Sequence, residues 1–254
     1  MLRLHEPPLR IFVLGHQKAG TSAIAALLGA YAGLEVTIDL RREIRDQLAL
    51  QVYSDELPIG RLIARNRADF SKPVVKHPNL TFLFPQLRDR FPDSRFVFVV
   101  RDPRENIRSI FDRLGLSGTG TALHPDQWAR LPGPWRLILS GKGLPITSSD
   151  HLEVLAERWR LMANIYFANR HQIELVRYED FTAAKERTID LLARILGLQQ
   201  TRKIGDLVDR PYQPQGANRG VDPITFFGEE NLARIEATCA LAMEKFGYLR
   251  SQRS

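Results

Sequence analysis

Two periods alternate along this chain. Five short runs are apolar almost throughout: Arg10–Leu14 (RIFVL), Leu34–Ile38, Pro73–Lys76 (PVVK), Arg95–Val100 (RFVFVV) and Ile173–Arg177. Runs of this length bounded by turn residues predict buried strands. Between them the apolar positions shift to helical spacing. Ile24, Leu27, Leu28 and Tyr31 share one face of a helix opening at Thr21 and stopped by Gly33. Further helices are predicted over Phe82–Arg90, after Asp102-Pro103, after Asp150 (stripe Leu152, Leu155, Ala156, Trp159, Ala163, Tyr166, Phe167), over Thr182–Leu196 closed by Gly197, and over Glu229–Phe246. Residues 41–70 read as mixed and mostly helical, and residues 199–228 as loop. Residues 114–150 break the rhythm with six Gly, four Pro and two Trp, the composition of a long loop or lid. Alternating strands and helices predict an α/β fold, a single domain with a central, mostly parallel sheet flanked by helices on both faces. No repeat or linker divides it.

Composition narrows the setting. At 254 residues, 44% apolar and 26% charged, the chain can bury a full core. Its one cysteine, Cys239, falls on the last helix's apolar stripe, which excludes an internal disulfide framework and a multi-cysteine zinc site and suits a reducing compartment. The opening MLRLHEPPLRIFVLG carries an acid and paired prolines where a secretion leader needs an unbroken apolar run, and no run is long enough to span a bilayer. The expectation is a cytoplasmic protein with no membrane partner.

The formal charge is +7, and more than half of it lies in residues 71–113, with nine basic against five acidic side chains. The basic residues are separated, not run together as in a nucleic-acid-binding helix. They read either as a solvated basic surface or as a compact polyanion site.

The chemistry concentrates at the strand ends. Gly15-His16-Gln17-Lys18-Ala19-Gly20-Thr21-Ser22 joins the first strand to a helix N-terminus, where free N–H groups and the helix dipole attract anions. Gly15 and Gly20 keep the spacing of the nucleotide-kinase loop GxxxxGK[ST], but position 21 is Thr and the lysine sits at 18. An ammonium there would lie beside a terminal transferred group. Arg101, at the end of the strongest strand, faces the crevice where open α/β sheets bind ligands; an ion pair within Arg101-Asp102-Pro103-Arg104-Glu105 is its alternative role. Tyr178 could equally be a core tyrosine, and Glu179 and Asp180 read as loop and cap residues.

GHQKAGTS after a strand resembles the 5′-phosphosulfate loop of the sulfotransferases that use 3′-phosphoadenosine 5′-phosphosulfate (PAPS). RFVFVVRDPRENIRS at 95–109 is similar to that family's second signature, Tyr178-Glu179-Asp180 to its adenine-contacting tyrosine, and Asn218-Arg219-Gly220 to its C-terminal basic-Gly loop; MEKFGY at Met243–Tyr248 adds a fifth likeness. The resemblance implies a P-loop-like fold and PAPS as donor without a metal. It places His16, Gln17, Lys18, Ala19, Gly20, Thr21 and Ser22 on the 5′ side, Arg101, Ser109, Arg219 and Gly220 at the 3′-phosphate and Tyr178 at the adenine. Lys18 would stabilise the bridging oxygen of the departing nucleotide, and Lys76 the sulfuryl oxygens.

For the general base two candidates stay open: His77, in Lys76-His77-Pro78, and Glu43, after the second strand. Neighbours in a strand face opposite ways, so Lys76 and His77 meet at one site only if the strand ends there, as Pro78 predicts. Left alone, His77 would be a surface or capping residue and Glu43 a surface partner of Arg42. The acceptor, a small molecule or glycan, would sit between residues 41–70 and the 114–150 segment, whose His124, Trp128 and Trp135 would line or cover it. The rival readings are a P-loop-type small-molecule kinase, which leaves the position of Lys18 and the Arg101/Ser109 pair unexplained, and a basic polyanion-binding protein without catalysis.

Overall fold

The computed structural model describes residues 10–120, 123–213 and 216–249. The opening residues 1–9, on which the leader argument rests, and two residues of the glycine-rich segment (121–122) lie outside it. In chain order the elements are β1 (Ile11–Gly15), α1 (Thr21–Ala32), β2 (Val36–Ile38), α2 (Arg41–Asp46), α3 (Leu48–Tyr53), α4 (Ile59–Arg65), α5 (Arg67–Phe70) and β3 (Val74–Lys76). A 3-10 turn over Pro78–Leu83 then leads to α6 (Phe84–Arg90), β4 (Arg95–Val100), α7 (Pro103–Leu114), α8 (Pro125–Arg130), α9 (Gly133–Ser140) and α10 (His151–Asn169). The chain closes with β5 (Glu174–Arg177), α11 (Tyr178–Ala183), α12 (Lys185–Ile195) and α13 (Pro223–Lys245).

The five strands form one sheet in the order β2-β3-β1-β4-β5, and every pairing is parallel. β1 is central, which explains why Ile11–Gly15 is buried residue by residue. Alternate side chains feed two cores. Phe12, Leu14, Phe96, Phe98 and Val100 pack with α7, α10 and α13. Ile11, Val13, Val97, Val99 and Val176 pack with α1 and α12. Each of these large side chains contributes about 1.5–3 kcal/mol on burial, so the strand ends, which carry the chemistry, stand on a rigid base. Cys239 is buried in the first core, and burial pushes its thiol upward, which removes it from chemistry.

Several predicted boundaries move for identifiable reasons. The glycine-rich segment is not irregular: α8 and α9 occupy it. His124 caps α8 by accepting from the Asp126 N–H while Gln127 accepts from the His124 N–H, and Leu131, Ile138 and Leu139 anchor the pair to the core. Its glycines and prolines punctuate short helices. The helix expected from Thr182 begins at Tyr178 and breaks at Ala184 (φ −150°), giving α11 and α12. The last helix starts at Pro223, inside the expected loop, but Gly228 (φ 72°, ψ 167°) interrupts it, so the continuous helix begins at Glu229 as the periodicity indicated. Asp102 and Asp150 cap α7 and α10 through the N–H groups of Arg104, Leu152 and Glu153.

Candidate active site

At the carboxyl ends of β1, β4 and β5 the chain opens a cavity of about 320 Å³, within the range of small-ligand sites. Its floor is the loop between β1 and α1. Gly15 carries φ 131°, and a Cβ there would meet the Val99 carbonyl at 2.3 Å. Gly20 carries φ 93°, and a Cβ there would strike the Tyr178 ring at 2.4 Å. Both positions therefore require glycine. Lys18 also takes the left-handed region, at φ 65°, which costs about 1–2 kcal/mol. What holds it is Arg101, whose Nη1 donates to the Lys18 carbonyl at 3.1 Å. Asn106 of α7 grips the same loop through the Gln17 carbonyl at 2.9 Å. The α1 N-terminus has no side-chain cap and opens on the cavity at Thr21 and Ser22, so its free N–H groups face whatever binds.

Cations line the walls: Lys18, Arg101, Arg108, Lys185, Arg210 and Arg219, against Asp112 and Asp209. Arg101 stacks over the Tyr178 ring, 4.6 Å from its centroid, and its Nη2 reaches Glu105 at 3.2 Å. The ion pair considered for Arg101 is thus present with Glu105, and the guanidinium also lines the cavity. Arg108, only 2% exposed, shares Glu105 and also donates to the Asn218 carbonyl. Asp112 accepts from the Asn218 N–H and Nδ2, so α7 carries the 216–220 loop that brings Arg219 to the rim. Burial, with the neighbouring charges of Arg113 and Arg101, holds the Lys18 ammonium below its ordinary range, Asp112 opposing.

Of the residues predicted to hold the donor, Lys18, Gly20, Thr21, Ser22, Arg101, Ser109, Tyr178 and Arg219 all line this one cavity. His16, Gln17, Ala19 and Gly220 do not. Arg108 was missed, although it directly precedes Ser109 on α7 and stands three residues after Glu105, within reach of that carboxylate. So was the wall from Val208 to Gln213, whose Gln213 side chain donates to Ser22 Oγ. Glu179 is a structural latch: it accepts from the Asp102 N–H and the Tyr248 hydroxyl, each at 2.9 Å.

A second polar group lies beneath the other side of the loop. β3 ends at Lys76, as Pro78 predicts, and both Lys76 and His77 turn to one carboxylate. Lys76 Nζ donates to Asp39 Oδ1 at 2.8 Å, and His77 Nδ1 lies 3.3 Å from the same oxygen and 3.3 Å from the Leu40 N–H. Burial alone would raise the Asp39 carboxyl, but His77 and Lys76 outweigh it and hold it well below the usual range. The surface roles considered for His77 and Glu43 are corrected: both are buried, Glu43 completely. Glu43 Oε2 accepts from the Ala49 N–H, Oε1 has no partner among the described residues, and burial pushes the carboxyl up against the charge of His77. Asn79 Oδ1 accepts from Gln17 and from Arg158, a guanidinium 1% exposed whose Nε and Nη1 have no partner there and which burial lowers to about 10. His16 stacks on Trp159, and burial together with the Arg158 charge lowers it to about 3, so it is neutral.

Neither Lys76, His77 nor Glu43 lines the cation-walled cavity. His124 is exposed and serves as a helix cap, and Trp128 packs against the core. Among the described residues no group of His, Cys, Asp or Glu could hold a metal ion.

The fold recurs in solved structures. The sulfotransferase domain of the Synechococcus PCC 7002 olefin synthase matches with a TM-score of 0.53 at 14% identity, over 96% of each chain. This is the sulfotransferase fold. Sulfotransferase STF1 of Mycobacterium tuberculosis H37Rv shares it (TM-score 0.52, 18% identity, 96% of this chain and 78% of that one). Mouse sulfotransferase SULT7A1, solved with PAP bound, does too (TM-score 0.51, 14% identity, 94% and 86%). No family model and no curated protein matches the sequence. No helix among the described residues is long and apolar enough to cross a membrane.

Proposed function

We propose that the protein is a sulfotransferase that moves the sulfuryl group of PAPS to a hydroxyl or amine of an acceptor by in-line displacement. One observation carries the reading: eight residues chosen for donor binding from four separated motifs line a single cation-rich cavity. The cavity suits the donor in chemistry as well as place. A nucleotide with three anionic groups fits walls bearing six cations and two carboxylates, one of which, Asp209, is spent on Lys185. Gly20 leaves room for the Tyr178 ring, against which a base would stack.

PAPS, when bound, supplies an activated sulfuryl group whose S–O bond to phosphate breaks as a bond to the acceptor oxygen forms. Lys18 and the α1 N-terminus hold the 5′ side and neutralise charge that builds on the bridging oxygen. Arg101, Ser109 and Arg219 hold the 3′-phosphate, with Arg108 supporting the loop that carries Arg219. Electrostatics and positioning supply most of the rate, as in phosphoryl transfer. For the acceptor proton the candidates are Glu43, whose carboxyl is raised by burial and whose Oε1 has no partner among the described residues, and His77, of which only Nδ1 faces Asp39 and Leu40. The acceptor leaves as its sulfate ester, or as a sulfamate where an amine attacks, and the donor as adenosine 3′,5′-bisphosphate.

Thermal denaturation with adenosine 3′,5′-bisphosphate, ATP plus Mg2+ and a DNA oligomer tests the reading. The bisphosphate should stabilise most. Stabilisation by ATP alone would favour a kinase, and steeply salt-dependent DNA binding a polyanion-binding protein.

A further inference from the structure

Beside the donor cavity lies a second one, of about 350 Å³, built where α7 ends and the α8–α9 segment folds over it. Leu116, Leu131 and Trp135 give it an apolar surface. Arg113, Arg130 and Gln127 supply its polar side chains, and none of its lining residues is acidic. The two arginines differ from their neighbours. Arg101, Arg104 and Arg108 each pair with a carboxylate, whereas Arg113 and Arg130 make no ion pair among the described residues. Two uncompensated guanidinium groups beside an indole and two leucines form a site for a molecule that is flat and apolar in body and anionic at one end.

Its position ties it to the transfer. The last turns of α7 divide between the cavities: Ser109 and Asp112 face the first, Arg113 and Leu114 the second. A ligand seated against Arg113 therefore lies one residue along α7 from Asp112, which lines the first cavity together with Lys18. The segment composed as a lid thus supplies, through Trp135 and Arg130, a wall and a charge.

We propose that this second cavity is the acceptor site, and that the acceptor is an amphipathic hydroxy compound carrying a carboxylate, sulfate or phosphate away from its reacting hydroxyl. The assignment as acceptor rests on the sulfotransferase reading above; the preference for an apolar anion rests on the cavity alone. The charge selects. Arg113 and Arg130 give the anion paired bonds while the apolar face accepts the ring system.

The test uses two probes of equal shape, 6-hydroxy-2-naphthoate and its neutral carboxamide, titrated calorimetrically into the full chain at low ionic strength, with and without saturating adenosine 3′,5′-bisphosphate. The naphthoate should bind about tenfold more tightly than the amide. Arg130→Gln should remove much of that preference and Arg113→Gln/Arg130→Gln all of it. Both arginines are exposed, so neither change opens the core, and circular dichroism should be unaltered. Equal binding of the two probes, or a preference that survives in the double variant, would overturn the proposal. The bisphosphate arm separates the two readings: a preference that follows the arginines in a protein indifferent to bisphosphate keeps the anion site and defeats the donor assignment, whereas bisphosphate binding without any preference does the reverse.

Discussion

The donor cavity and the buried group around Asp39 and Asn79 are both built from charged side chains at strand ends, yet they treat charge in opposite ways. In the cavity, carboxylates hold the cations in place along the walls: Glu105 holds Arg101 and Arg108, and Asp112 holds the loop bearing Arg219. In the buried group, charges are spent on one another or, among the described residues, left without hydrogen-bond partners: Lys76 and His77 share Asp39, Arg158 bonds to Asn79 alone, and one Glu43 oxygen has none. The first arrangement is fit to bind an anion, because only modest desolvation precedes the new bonds. The second is fit to hold unusual protonation states, because low dielectric magnifies each uncompensated charge.

That contrast can be broken by mutation. Lys18→Ala should lower sulfuryl transfer from PAPS by about 10³-fold while the calorimetric affinity for adenosine 3′,5′-bisphosphate changes little. Comparable losses in both would mean that Lys18 is chiefly a binding residue. Arg101→Ala should weaken the same affinity by about 10- to 100-fold, the worth of charge-assisted hydrogen bonds, and Arg101→Lys should recover only part of it because the forked geometry is gone. Glu105→Gln should cost less, a few-fold in bisphosphate affinity with 5′-AMP affinity unmoved, since it frees both arginines without removing either. Loss of both affinities alike would reduce Glu105 to a folding role.

The buried group makes its predictions through pH. The folded His16 titrates near 3 instead of 6.5, so the unfolded chain binds more protons between those values. Stability is therefore full above about 6.5 and falls as pH drops toward 3. His16→Gln should flatten that part of the curve in urea titrations; an unchanged slope would show that His16 is not the buried neutral ring described. Glu43 carries the opposite sign, its carboxyl being raised. Its contribution is present below the free carboxylate value and is lost as pH rises through the folded one. Glu43→Gln should thus be as stable as the parent at neutral pH, or more so, and loss of transfer in it but not in His77→Gln assigns the acceptor proton to Glu43.

Much of the donor cavity was legible because its residues follow strand ends. A buried strand declares itself by an apolar run, and a glycine or an arginine directly after it has few places to point. Gly15, Gly20, Arg101 and Tyr178 are of this kind. Arg108, Asn79 and Arg158 are not. An arginine within a helix is ordinarily a solvent-facing residue, and only packing against Asn218 or Phe82 makes these two buried. Asp39 escaped for a related reason: its role depends on β2 and β3 being neighbours, a fact of sheet order and not of either strand. The α8–α9 helices were hidden by their own caps, since glycine and proline at helix ends resemble glycine and proline in loops. Glu43 and His77 were identified as chemical candidates, but their burial arises from α3 and the 3-10 turn closing over them.

The most direct measurement is the calorimetric affinity of the unmodified protein for adenosine 3′,5′-bisphosphate beside 5′-AMP and ATP with Mg2+. A cavity whose Arg101, Ser109 and Arg219 hold a 3′-phosphate should bind the bisphosphate at least about 100-fold more tightly than 5′-AMP, without need of metal. Equal affinity for the two, or tighter binding of ATP with Mg2+, would contradict it.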